Sequence, residues 1–214
     1  MKIRVFKMPD VAQSIYKKRI WHSTNKNHVY VTFDDGPHEK ITPWLLNLAR
    51  EEGVKLNFFW LGKNVLNSPE IINTAKQDGH FVGNHGYDHL HYSRVSKEEY
   101  FENFKKGKDL FPDNAFRPPY GRLAPSIAKN IYPLSPIIMW SWLSYDWQKE
   151  MSNKKILQQL EKNVSGGDIL VFHESDKTYD RIFELIPEVI AILKKKGLTL
   201  STLDAVIKEH YKNE

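Results

Sequence analysis

The chain has 214 residues, 41% of them hydrophobic, and a formal net charge of +5. This length suits one domain with a full core, and the lack of cysteine excludes disulfides and thiolate metal ligands. Lysine and arginine are scattered, and their densest run, Lys194–Lys196, is typical of the solvated last turn of a helix. We therefore expect no nucleic-acid partner.

The apolar runs have the length of strands, so we expect no membrane span. Residues 1–20 alternate charged and apolar side chains without a hydrophobic core segment, which does not resemble a secretory signal. A cytoplasmic location is therefore the default expectation.

In chain order, apolar β-branched and aromatic runs alternate with amphipathic stretches of helical length. Thr42 is predicted to cap the first helix, with Pro43 at its first position and Gly53 at its end. This alternation favours an α/β fold with a parallel sheet, closed as a barrel or a distorted barrel. With no linker or repeat visible, we expect one domain over 28–214, with 1–27 as an extension packed on it. The predicted strands cover 28–33, 54–61, 80–84, 115–117, 137–142, 168–172 and 198–201, and the predicted helices cover 43–52, 68–78, 96–110, 125–130, 152–163, 181–196 and the chain from 203.

Several polar residues follow the carboxyl ends of predicted strands, and in a parallel barrel these ends share one face. One carboxylate and two imidazoles suffice for a catalytic divalent-metal site with an open coordination position. A second carboxylate beside them would be a ready proton acceptor. The residues in question are Asp34, Asp35, His85, His89, Arg117, Asp146 and His173.

Each of these motifs also has a simpler interpretation. Asp34–Pro37 has the composition of a turn, and a lone histidine more often caps or packs than binds metal. Asp88 and His91 are reserve ligands beside the histidine pair. Arg117 could pair with a carboxylate, and Asp146 could raise the pKa of the His173 imidazole.

Taken together and in order, five segments resemble the motifs of the polysaccharide deacetylases, the family-four carbohydrate esterases that carry the NodB-homology domain. The resemblance covers residues 28–205. The matching segments are Thr32–Pro37, His85–His89, Arg117–Tyr120, Asp146–Trp147 and Val171–His173. The chain departs from the family pattern at Gly86, where Ser or Thr is usual, at Ser144, often Asp, and at Val171, usually Leu.

The resemblance implies a distorted (β/α) barrel whose catalytic domain, 28–214, hydrolyses acetamide groups on N-acetylated poly- or oligosaccharides. Asp35, His85 and His89 would bind a divalent metal, with zinc expected and cobalt, nickel or manganese as alternatives. Asp34 would be the general base. Arg117 would orient Asp34, and the Tyr120 backbone N–H would hold the oxyanion. His173 would be the general acid, tuned by Asp146. The residues implied to contact the substrate are Trp147, Val171 and Pro119.

The sequence is also compatible with other substrates and with a binding role. The same site could hydrolyse O-acetylated sugars or a small non-sugar amide. A catalytically silent carbohydrate-binding protein is a further alternative, because six tryptophans could serve sugar stacking. Gly86 predicts a metal loop that is looser or differently braced than in the family pattern.

Overall fold

The computed structural model describes residues 4–9, 11, 13, 16, 18–111 and 115–212. A short 3₁₀ turn covers Pro119–Gly121. The strands are β1 (His28–Asp34), β2 (Asn57–Trp60), β3 (Phe81–Asn84), β4 (Trp142–Leu143), β5 (Ile169–His173) and β6 (Thr199–Leu200). The helices with described bounds are α1 (Ile41–Glu52), α2 (Gly62–Val65), α3 (Glu70–Gln77), α4 (Lys97–Lys108), α5 (Pro125–Ile131), α6 (Asn153–Asn163), α7 (Tyr179–Lys195) and α8 (Asp204–Lys212).

The strands form a parallel sheet in the order β3-β2-β1-β5-β4, and β6 pairs with the start of β1. Single parallel bridges continue the sheet beyond β3, from Asn84 to Phe116 and from Phe116 to Ile137. The chain then runs from Ile137 into β4, which pairs with β5. The ring of strands is therefore closed in part by isolated bridges, which confirms the predicted distorted barrel.

Alternation along the strands decides which side chains reach the functional face. On β1, Val31 and Phe33 belong to the hydrophobic cluster under α1, α6 and α7, whereas Tyr30 belongs to the cluster on the other face. Because successive side chains point to opposite faces, Asp34 lies on the same face as Tyr30. Val171 on β5 also packs on this second face, so His173 follows it there.

The described part of residues 1–27 contacts the sheet directly. Lys7 forms an antiparallel bridge to Trp142, and Ile20 forms a parallel bridge to Ile138. Residues 1–3, 10, 12, 14, 15 and 17 of the predicted extension lie outside the described residues, and the division at residue 27 stays a prediction. Within the described ranges, no helix is both long and apolar enough to cross a bilayer.

The predicted cap of α1 is wrong. The helix begins at Ile41, one residue before Thr42. The Thr42 hydroxyl accepts from the His38 backbone N–H at 2.7 Å and donates to the Glu174 carboxyl group, so its contacts lie elsewhere. The Nδ1 of His38 takes over the capping, since it accepts from the backbone N–H groups of Lys40 and Ile41 at 3.2 and 3.3 Å.

The predicted strand 137–142 is also too long. Only Trp142–Leu143 forms a ladder, while Ile137 and Ile138 each form a single bridge. The two bridges lead to different partners, Phe116 and Ile20, and neither continues as a ladder. The predicted strand 115–117 is likewise reduced to bridges at Phe116.

Candidate functional site

A cavity of about 570 Å³ opens at the carboxyl ends of the strands. Arg117 and Asp146 are buried behind this cavity, and Pro119 is buried outside its lining. The other predicted site residues line it together: Asp34, Asp35, His85, His89, Tyr120, Trp147, Val171 and His173.

Three of these residues form a cluster with the geometry of a metal site. The Asp35 Oδ1 atom lies 3.2 Å from His89 Nε2 and 3.7 Å from His85 Nε2. One ligand atom from each residue fits within 4.8 Å of the others. Asp35 Oδ1 is buried and has no hydrogen-bond partner among the described atoms. A divalent cation would satisfy this orphaned oxygen, so the donor set fits one.

The orientation of His85 also fits a ligand role. Its Nδ1 lies 2.8 Å from the Arg117 carbonyl oxygen, so Nδ1 must donate and Nε2 presents its lone pair to the cluster. Burial, only partly offset by Asp34, lowers the pKa of His85 to about 4, which keeps the ring neutral. The reserve ligands Asp88 and His91 lie outside the cluster.

The backbone around the cluster adopts an uncommon conformation. Asp35, His89 and Tyr120 have φ values of 78°, 57° and 60°, in the left-handed region that costs a non-glycine residue about 1–3 kcal/mol. The surroundings hold these conformations in place; for example, Asn64 Nδ2 donates to the Asp35 carbonyl oxygen at 2.9 Å. Strain of this kind concentrates at functional sites.

The loop between the two histidines is braced by amide side chains. Asn103 Oδ1 on α4 accepts from the backbone N–H of Tyr87 at 3.0 Å, and Asn84 Oδ1 accepts from that of Gly86 at 2.7 Å. Gly86 has a φ of 83°, and a Cβ there would lie 3.1 Å from Asn103 Oδ1. With glycine at position 86, the loop is held by hydrogen bonds to Asn84 and Asn103 and not by a Ser or Thr hydroxyl.

Asp34 is fixed by a buried arginine. Arg117 Nη1 donates to Asp34 Oδ1 at 2.7 Å and to the Thr32 hydroxyl at 2.6 Å, and its guanidinium carbon lies 4.0 Å from the centroid of the Phe59 ring. The other oxygen, Oδ2, lies 4.0 Å from His85 Nε2. One oxygen of Asp34 is therefore held by a positive charge, and the other faces the ligand cluster.

His173 is paired with Asp146 on the opposite wall. Its Nδ1 lies 2.8 Å from Asp146 Oδ1, and the Ser144 hydroxyl donates to the same oxygen at 2.8 Å. Burial alone would lower the pKa of His173, but the charge and hydrogen bond of Asp146 outweigh burial and raise it to about 9. His173 is thus protonated at neutral pH, and Ser144 supports the pair from a position where the family often has Asp.

Glu174 is a buried residue of the site that no sequence pattern singles out. The Thr42 hydroxyl and the Trp60 indole N–H donate to its carboxyl oxygens. Burial is the largest cause that raises the pKa of Glu174, to about 8. A Cβ on Gly36 would overlap Glu174 Oε1, so this carboxyl group fills the space beside the turn that carries Asp35. Only its position after His173 could have drawn attention to it.

Comparison with known sequences identifies relatives over most of the chain. Residues 22–132 match the family model described as Polysaccharide deacetylase. The peptidoglycan-N-acetylglucosamine deacetylase PgdA of Listeria monocytogenes is 30% identical over 97% of this chain, which spans only 46% of that relative. A Bacillus cereus peptidoglycan-N-acetylglucosamine deacetylase is 30% identical, with 86% of this chain and 70% of the relative covered.

Solved structures of other proteins share this fold. The Bc1960 peptidoglycan N-acetylglucosamine deacetylase superposes with a TM-score of 0.83 at 28% identity and covers 91% of this chain and 95% of its own. A family 4 carbohydrate esterase from Streptomyces lividans superposes with a TM-score of 0.73 at 24% identity, a level that speaks for the fold alone. Because the family model spans just over half of the sequence and relatives extend across nearly all of it, this chain belongs to the polysaccharide deacetylase family.

Proposed function

We propose that this protein is a metal-dependent N-deacetylase of N-acetylated poly- or oligosaccharides, with residues 28–214 as its catalytic domain. The observation that carries the proposal is the placement, at one cavity, of the Asp35, His85 and His89 cluster between Asp34 and His173. The names of the Listeria and Bacillus relatives support an N-acetylated sugar as the substrate.

In this proposal Asp35, His85 and His89 hold a divalent metal, with zinc expected because its catalytic sites combine imidazole and carboxylate ligands. Cobalt, nickel and manganese are the alternatives. When bound, such an ion polarises a carbonyl group and lowers the pKa of water. The neutral ring of His85 and the orphaned oxygen of Asp35 support these ligand roles.

The protein groups around the cluster divide the proton transfers between them. Asp34 accepts a proton from the attacking water through Oδ2, while Arg117 holds Oδ1. The backbone N–H of Tyr120 donates to no other described residue and serves the developing oxyanion. His173 then donates its proton to the nitrogen of the departing amine, and acetate and a free amino sugar result.

A substrate panel tests this proposal against its alternatives. Acetate release is measured from N-acetylglucosamine oligomers, acetylated xylan and small non-sugar amides, each with wild-type protein and an Asp34→Asn control. We expect the wild-type protein to release acetate from the N-acetylated oligomers and the Asp34→Asn control to show no comparable release. Release confined to xylan or to small amides would favour the alternative substrates, and oligomer binding without hydrolysis would favour a silent binding protein.

The pH profile tests the role of His173. Because its pKa is raised to about 9, the acid form persists through neutral pH, and kcat/KM should fall as the pH rises through about 9. Asp146→Asn removes the main cause of the raised pKa, so the alkaline limb should move to lower pH by at least about 1. Identical profiles for the two proteins would contradict this role.

Asn103→Ala tests the brace on the metal loop. Loss of its acceptor oxygen frees the backbone N–H of Tyr87, and we expect metal affinity to fall by about tenfold or more, as for other outer partners of metal ligands. Competition with a chromophoric chelator measures this affinity. Asn73→Ala, at an exposed site on α3, should retain it. Equal affinity for Asn103→Ala and Asn73→Ala would contradict the brace.

A further inference from the structure

A second cavity, of about 610 Å³, lies at the amino ends of the strands, opposite the cavity of the proposed catalytic site. Its wall includes Ser141 and Asp168, which come directly before β4 and β5, and Lys26, two residues before β1. The segment 19–24 and α8 supply most of the remaining wall. The two cavities share no described lining residue. We call this second one the amino-end cavity.

Arg19 is a buried cation in the wall of the amino-end cavity. The residue is 7% exposed, and Nη2 donates to the Leu123 carbonyl oxygen at 2.8 Å. Its guanidinium carbon lies 4.2 Å from the centroid of the Tyr16 ring. Within the described part of the chain, no carboxylate pairs with Arg19. Burial lowers the pKa of Arg19, but an arginine side chain stays protonated in proteins, so this wall holds a positive charge without a counter-ion.

The guanidinium group of Arg19 has N–H groups left for a ligand. Among the described residues, only Leu123 accepts a hydrogen bond from it. None of its nitrogen atoms is enclosed by protein without a partner, so the remaining N–H groups are open at a residue that lines the cavity. Arginine presents a planar fork of donors, which matches two oxygen atoms of one carboxylate or phosphate group.

The buried carboxylate of the same wall is already neutralised. Lys7 forms a salt bridge with Asp168, which is buried. Oδ1 of Asp168 also accepts from the Ser141 hydroxyl at 2.7 Å, and Oδ2 accepts from the Ser165 backbone N–H at 2.8 Å. Both oxygens of Asp168 are therefore engaged, and this carboxylate supplies no counter-charge to Arg19.

The remaining charges of the described wall leave an excess of positive charge. Glu209 on α8 accepts from the Thr24 hydroxyl, and it pairs with no described cation. Lys26 is exposed and forms no ion pair with a described residue. Lysine and arginine thus contribute three positive charges to this wall against two carboxylates. The imidazoles of His22 and His210 also line it and add positive charge only when protonated.

We propose that the amino-end cavity is a second ligand site, which binds a small molecule through a carboxylate or phosphate group placed against Arg19. A buried charge without a partner costs free energy, and the oxyanion of the ligand supplies that partner. The volume of about 610 Å³ is usual for a small-molecule site, and Ile20 and Val206 offer apolar wall to the body of the ligand. The proposal is independent of the proposed function, because none of its residues belongs to the other cavity.

A titration followed by backbone amide NMR tests this site in the metal-loaded full chain. The probes are acetate, inorganic phosphate and acetamide, the neutral counterpart of acetate, at constant ionic strength. We expect acetate or phosphate to shift the amide signals of residues 19–26 and 165–168 along a saturable curve, and acetamide to leave them unchanged. The anion that binds more tightly identifies the preferred group. Signals of residues 85–89 report separately on binding at the proposed metal site. The absence of a saturable shift at 19–26, or an equal shift with acetamide, would overturn the proposal.

Arg19→Gln assigns the binding to the buried guanidinium. Loss of the charge-assisted hydrogen bonds should weaken binding of the tighter anion by at least about tenfold. Arg181→Gln is the matched control, since Arg181 on α7 also donates to a backbone carbonyl, that of Met151 at 2.6 Å, but lines neither cavity. This control should bind the anion like wild type. Equal affinity in the two variants would contradict the role of Arg19.

Lys26→Glu provides a test that does not depend on the folding of the Arg19 variant. Lys26 is exposed, so this variant should fold, and reversal of its charge should weaken anion binding by about threefold or more at low salt. Thermal unfolding gives an independent readout, because a ligand that binds only the native state raises the melting temperature. The rise caused by the tighter anion should be smaller in Lys26→Glu than in wild type. The same rise in both proteins would place the anion outside the amino-end cavity.

Discussion

Replacing Asp34 with asparagine is expected to lower kcat by about 10²- to 10⁴-fold, the range that a positioned general base supplies. Asparagine keeps the shape of the side chain and an oxygen for Arg117, which contacts Asp34 at 2.7 Å. It cannot accept the proton of the attacking water. Because Asp34 is not assigned to the ligand cluster, bound metal should be unchanged. Acetate release gives the rate, and elemental analysis by mass spectrometry gives the metal content.

The outcome of this substitution also separates the two neighbouring carboxylates. Asp180→Asn, an equal change at an exposed position in the first turn of α7, is the control and should keep full activity. If Asp34→Asn lost its metal, Asp34 would be a ligand rather than the base. If it kept wild-type activity, another group would accept the proton.

Removal of the metal is expected to reduce acetate release to the level of a protein-free blank. The cavity offers Asp35, His85 and His89 as a ligand set, and no other described cluster of this kind exists. Treatment with a chelator, followed by zinc, cobalt, nickel or manganese, should abolish and then restore activity. Activity that survives complete removal of metal would contradict the proposed mechanism.

Thermal unfolding gives a second measure of the same site. A metal that binds only the native state raises the melting temperature in proportion to the logarithm of its concentration over Kd. Wild-type protein should show this rise and His85→Ala should not. His28→Ala is the control, since His28 lies at the opposite end of β1 from Asp34, and it should respond like wild type. The same rise in His85→Ala and wild type would place the metal elsewhere.

The sequence predicts the functional face well because strand periodicity and strand ends are local properties. Asp34 and His173 each close an apolar strand, and register places them directly opposite each other on β1 and β5. The family motifs add the proposed ligand set, Asp35, His85 and His89, whose members line one cavity. The distorted barrel follows from the same alternation of strands and helices.

The features that the sequence missed depend on contacts between distant segments. Thr42 has the composition of a helix cap, yet its hydroxyl reaches Glu174, 132 positions away. Asn103 lies on a polar helix and gives no local sign that its amide braces a loop 16 positions earlier. Ile137 and Ile138 carry a strand pattern, but their partners allow only single bridges. Local pattern cannot reveal such partners.

Arg117 acts through two chemically independent parts. Its guanidinium group holds Asp34, whereas its carbonyl oxygen accepts from His85 Nδ1. Substitution removes the side-chain contacts to Asp34, Thr32 and the Met139 carbonyl, whereas any amino acid at this position supplies a backbone carbonyl. Under the proposed function, a substitution at position 117 would therefore act first on Asp34, whereas the tautomer of the His85 ring is set by a backbone carbonyl.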